Sequence, residues 1–82
     1  MVLKESQGIY QGILTTSIVK IDGVTDYLNE IKESFEIDKE EKAAYFYLKD
    51  EGQVITQPTE GKFCIMCTNL SREVANRLEK LI

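Results

Sequence analysis

The 82-residue chain has no histidine and no tryptophan, and only one proline and two cysteines. Without histidine there is no Ser-His-Asp or Cys-His nucleophile relay, no histidine-ligated zinc or haem, and no ordinary switch at neutral pH. The glycines at 8, 12, 23, 52 and 61 form neither a P-loop nor a G-x-G-x-x-G phosphate cradle. A basic stripe is also missing. Ten Lys and Arg face fourteen Asp and Glu, the net charge is −4, and the basic residues stand singly among acids. That opposes both nucleic acid and an anionic membrane surface. The longest apolar run, Ala43 to Leu48, is far short of a membrane span. The opening Met1-Val2-Leu3-Lys4-Glu5-Ser6-Gln7 has no apolar signal-peptide stretch, so the expected location is cytoplasmic.

What the chain does contain fits one small globular domain, 1–82. Its 43% hydrophobic and 29% charged residues are ordinary for a folded protein and wrong for a disordered one. A chain this short buries only about 60% of the surface its unfolded form exposes. Its apolar side chains are therefore committed to one core, and a deep substrate cavity would compete for them. A partner that adds burial, such as a second copy of the chain, is favoured.

Residues 9–21 are rich in β-branched types and predict strand, either one long strand or a hairpin turning near Thr15 to Ser17, with Gly12 suited to a bulge. Val24, Tyr27, Leu28, Ile31 and Phe35 recur at a 3.6 period and predict a helix over 23–36, with Asp22 as its N-cap. Asp38 to Lys42 are all charged and end that stripe. From Ala43 the period becomes two. Ala44, Phe46 and Leu48 point one way, and Tyr45, Tyr47 and Lys49 the other. Asp50-Glu51-Gly52 and Pro58-Thr59-Glu60-Gly61 read as turns, with positive φ expected at Gly52 and Pro58 at the first central position. They separate strands at Gln53–Gln57 and Lys62–Asn69. Phe63, Ile65 and Cys67 share one face of the last strand, and Cys64 and Met66 the other. A final helix starts at the N-cap Ser71 and buries Val74, Ala75, Leu78, Leu81 and Ile82. The fold class is α+β, an antiparallel sheet of four to five strands with two helices, in the order β(β)-α-β-β-β-α.

Three groups of residues carry candidate chemistry. Cys64-Ile65-Met66-Cys67 is a C-x-x-C, but in a strand its two cysteines lie on opposite faces and about 10 Å apart, beyond the roughly 7 Å between Cα atoms that a disulfide tolerates. Two small half-buried hydrophobes are the plainer reading. Glu36, Asp38 and Glu40 space carboxylates two apart in an expected loop, as a Ca²⁺ site would. The EF-hand pattern is not met, because Glu41 and Tyr47 stand where its glycine and its last glutamate belong. No other cofactor is expected. Tyr45, Tyr47 and Met66 share one sheet face. If both helices cover the Phe46 and Phe63 side, that face is an uncovered, partly apolar interface.

The three meander strands and closing helix of the second half resemble the end of roadblock or longin-type domains. That resemblance implies a small dimeric adaptor or regulator of GTPases. The residues themselves point to a non-enzymatic interaction module, acting as a homodimer or on a protein partner through a sheet edge or the Tyr45/Tyr47 face. A Ca²⁺-binding domain is the alternative, and a small enzyme would have to work with carboxylates, Lys or Tyr.

Overall fold

The computed structural model describes residues 2–82. Two hairpin strands open the chain, β1 (Lys4–Ser6) and β2 (Ile9–Ser17), followed by helix α1 (Ile21–Ile31). Four meander strands come next, β3 (Lys32–Asp38), β4 (Ala43–Leu48), β5 (Gln53–Thr59) and β6 (Lys62–Leu70), and helix α2 (Arg72–Leu81) closes it. The described residues thus form two α-helices and a six-stranded antiparallel sheet in the order β1-β2-β6-β5-β4-β3. The class is α+β, as the sequence predicts, with one strand more than the upper expectation.

Alternation decides which side of the sheet is core. Leu14, Phe46, Val54, Ile65 and Cys67 are buried on one side, where α1 lies against β4 and α2 against β2. From the helices, Val24, Leu28, Ala75 and Leu78 complete the same cluster. Both helices therefore cover one face and leave the other open. The Ser71 hydroxyl accepts from the Val74 N–H at 3.4 Å and starts α2 as its N-cap. Residues 9–17 form a single strand whose register shifts between Tyr10 and Gly12. The chain turns after Ser17, where the Lys20 N–H donates to the Ser17 carbonyl oxygen and hydroxyl, both at 3.2 Å.

Several expectations need correction. Helix α1 stops at Ile31 rather than running to 36, and it begins on Lys20 with no side-chain cap while Asp22 sits inside the first turn. The Lys32 N–H still bonds the Leu28 carbonyl, but its own backbone is extended, so the chain passes from helix to strand without a loop. Phe35 leaves the helical stripe for β3, where its ring lies 5.0 Å from Phe46, directly opposite across the strands. Glu36 accordingly stands in a strand and not in a loop.

Strand β1 was not expected. It pairs with β2 through a two-residue turn in which Gln7 and Gly8 both take positive φ, the twist a tight hairpin needs. Pro58 lies within β5 opposite Phe63, and the turn is Glu60-Gly61 with Gly61 at φ +74°. A proline fits there because the β4–β5 pairing ends at Ala44 and Thr56, so no β4 carbonyl loses a donor. Finally, positive φ at the β4–β5 connection falls on Asp50 and Glu51, and Gly52 is extended. Gly52 serves close approach instead, since a Cβ there would meet the Asn69 carbonyl oxygen at 3.2 Å.

Candidate interaction face

The open face is built by the residues that alternate with the core. Strand register sets Ile13, Met66, Ile55 and Tyr45 side by side across β2, β6, β5 and β4, and Glu36 of β3 ends the row. On one side runs a row of Thr68, Gln53, Tyr47 and Ser34. Thr15, Cys64 and Gln57 flank the other side. Tyr45, Tyr47, Ile55, Cys64 and Met66 are half-buried and Ile13 is 58% exposed. The three residues named from the sequence, Tyr45, Tyr47 and Met66, are thus gathered on one uncovered surface.

Charge on this face is confined to its margins. The open-face positions of β5 and β4 from Tyr45 to Tyr47 carry none, and β6 carries only Lys62 at its hairpin end. Glu36 and Asp38 stand on the outer strand β3, and Lys4 pairs with Gln11 on the opposite outer strand β1. Val2, Lys4, Gln11, Ile13, Met66 and Thr68 line one shallow depression at that end. Glu36, Asp38, Tyr45 and Tyr47 line another at the β3 end. There, loss of hydration and the neighbouring Glu36 carboxylate raise the Tyr47 hydroxyl above its ordinary range.

The carboxylates considered for Ca²⁺ do different jobs. Glu36 faces Tyr45 and Tyr47 on the sheet. Asp38 Oδ1 accepts from the N–H groups of Glu40 at 3.0 Å and Glu41 at 3.2 Å, which shapes the β3–β4 turn. Among the described residues, no three of His, Cys, Asp and Glu gather as a metal site would require.

The C-x-x-C divides as a strand demands. Cys64 faces the open side beside Thr15 and Gln57, whereas Cys67 is buried beside Val54, and both are free thiols. Burial, with smaller contributions from Cys64 and Glu79, pushes the Cys67 thiol up to about 12. A thiol held neutral and sheltered lacks the thiolate that redox exchange needs.

A further concave place lies where α1 and α2 meet the β4–β5 connection, between Tyr27, Leu48, Asp50, Ser71 and Glu73. Burial and the Glu73 carboxylate raise the Tyr27 hydroxyl, and Arg77, 5.6 Å from the ring centre, opposes them.

Sequence reasoning missed Ile13 and Ile55 as members of the face. Both lie in predicted strands; the side of Ile13 depends on β2 meeting β6, a long-range pairing with no local signature, whereas Ile55 is set opposite Tyr45 and Met66 by the short-turned meander. Among the described residues, no helix is long and apolar enough to cross a membrane. No family model, no curated protein and no solved structure matches this chain.

Proposed function

We propose that this protein is a non-enzymatic interaction module that self-associates through the open face of its sheet. One observation carries the reading. Ile13, Met66, Ile55 and Tyr45 form a continuous apolar row across four strands, with no helix above it and charge kept to the margins. An apolar centre with a polar, charged rim is the anatomy of a protein interface. A sheet face meant only for water carries lysines and glutamates along its middle strands, and these strands carry only Lys62, at the end of the β5–β6 hairpin.

The edges are poorer surfaces for association. Strand β1 is three residues long and wholly exposed. Strand β3 is bulged between Lys32 and Ser34, and self-pairing of its regular part, Ser34–Asp38, would centre on Glu36 and set two glutamates against each other. Shortness, a bulge and charge are the devices that keep edges from joining.

Light scattering on the eluting protein tests the reading. The wild-type chain is expected to run above the mass of one copy. Tyr47→Asp and Met66→Lys, each with unchanged circular dichroism, return it to one copy. A wild type that stays monomeric at about 100 µM, or folded variants that keep the larger mass, would overturn it.

A further inference from the structure

The open face is electrically lopsided, and that asymmetry specifies how a second copy sits on it. Glu36 and Asp38 occupy the β3 margin, and Lys4 occupies the β1 margin. Five strand spacings of ~4.8 Å separate the two, about 24 Å. Two sheets packed face to face and related by a two-fold axis have two simple aligned arrangements. With the axis across the strands, β3 lies over β3 of the second copy, so Glu36 and Asp38 meet their own equivalents. With the axis along the strands, β3 lies over β1 of the second copy, and β4 over β2, and β5 over β6.

We infer that a second copy of this chain docks on the open face with the two-fold axis along the strands, the Glu36 margin of each copy over the Lys4 margin of the other. The apolar row is satisfied by this axis as it is by the other, which sets each residue of the row over its own equivalent, so the charged margins alone make the choice. This axis, passing between β5 and β6, brings Tyr45 over Ile13 and Ile55 over Met66, so apolar residues cover apolar residues. Lys4 is displaced from the Glu36 row by about two residues, roughly 6.6 Å along the strand. Facing sheets lie ~10 Å apart, so a lysine and a glutamate side chain together span the gap. The margin that would otherwise repel becomes the one that fixes orientation. This arrangement rests on the open-face reading, and its test separates the two.

Sedimentation equilibrium on Glu36→Lys provides that test. The substitution lowers the net charge from −4 to −2, so nonspecific repulsion between copies falls and would tighten association. The proposed arrangement gives the opposite sign, because a lysine then faces Lys4 of the second copy, and the dimer weakens about tenfold. Lys4→Glu alone weakens it similarly, and the two substitutions together recover the wild-type constant within about threefold. Association that tightens or is unchanged in Glu36→Lys, or a double variant no better than the singles, would overturn the arrangement. If Met66→Lys still dissociates the wild-type assembly in that case, self-association through the face stands and only the orientation falls. A monomeric wild type sinks both.

Discussion

The two faces of the sheet are made from the same strands, yet they hold different kinds of residue. Phe46 and Tyr45 are chain neighbours. Phe46 is 1% exposed beneath α1, and Tyr45 is half-buried in the open. On the covered side most residues are aliphatic or aromatic and enclosed, with Cys67, Thr16 and Thr56 buried among them. On the open side Tyr, Met, Cys, Gln and Thr alternate with isoleucine, side chains that tolerate water and also pack well against protein. The difference separates folding from recognition. The covered face must be paid for by burial within one chain, whereas on the proposed reading the open face is stable alone and gains when a second copy covers it.

The sharpest break of that comparison is a matched pair of truncations. Phe46→Ala removes a ring enclosed by the core and packed on Phe35, and it should cost about 3–5 kcal/mol in urea unfolding. Ile13→Ala on the exposed face should stay within about 0.5 kcal/mol when measured at dilutions where the chain is monomeric. Similar costs for the two would mean that the open face is structural.

The two cysteines make the same comparison in one strand. At dilutions where the chain is monomeric, Cys64 should react with a thiol reagent in the native protein at pH 8, and Cys67 only after unfolding, as counted by intact-mass spectrometry. Titration adds a second readout. The unfolded Cys67 thiol loses its proton near pH 9, and the folded one holds it to about 12. The native state thus binds more protons across that window, and stability falls as pH rises, by at most about 1.4 kcal/mol per pH unit. Below pH 9 the contribution is fully present. Cys67→Val should remove this slope while Cys64→Ser keeps it, which separates the effect from tyrosine ionisation.

Gly12 tests how β2 serves both faces. Its φ of +147° is strained for any side chain, and an added Cβ would lie 3.1 Å from Leu3 Cδ2. Gly12→Ala should cost more than about 1 kcal/mol. The residue sits at the register shift that brings Tyr10 back to the covered side, where its hydroxyl accepts from Arg72 Nε at 3.2 Å.

How much of this was legible follows from where the signal is local. Ala43 to Leu48 is a short apolar run between charged residues in which Tyr45 and Tyr47 interleave with Phe46 and Leu48, so its two faces can be told apart, and Ser71 announces α2 by its own hydroxyl. Strand β1 could not be read: Lys4-Glu5-Ser6 has no apolar face, and pairing with β2 makes it a strand. Phe35 was ambiguous, because it fits a helical repeat after Leu28 and Ile31 and equally a two-residue alternation with Ile37. No glycine or proline marks the change at Lys32, so the pull of Phe46 across the strands decided it. Tyr45, Tyr47 and Met66 were found because β4, β5 and β6 are joined by short turns. Ile13 was not assigned to their face because the β2–β6 pairing closes a loop of more than forty residues.

The smallest expected effect lies in one pair of adjacent threonines on β2. Thr16 points into the core, 6% exposed, and its hydroxyl oxygen has no hydrogen-bond partner among the described residues. Thr15 beside it points to the open face and water. A buried hydroxyl without a partner has lost its hydration and gained nothing in return, a penalty of about 1–3 kcal/mol for the unmade bond. Valine has nearly the same shape and keeps the β-branch that suits a strand. Thr16→Val should therefore raise stability, by about 0.5–1 kcal/mol after small packing adjustments, whereas Thr15→Val should leave it within about 0.3 kcal/mol. Urea midpoints measured on both variants decide the matter. A loss at Thr16 would mean that its hydroxyl is bonded in solution, to a water within the core, and that the covered face is less dry than its apolar lining implies.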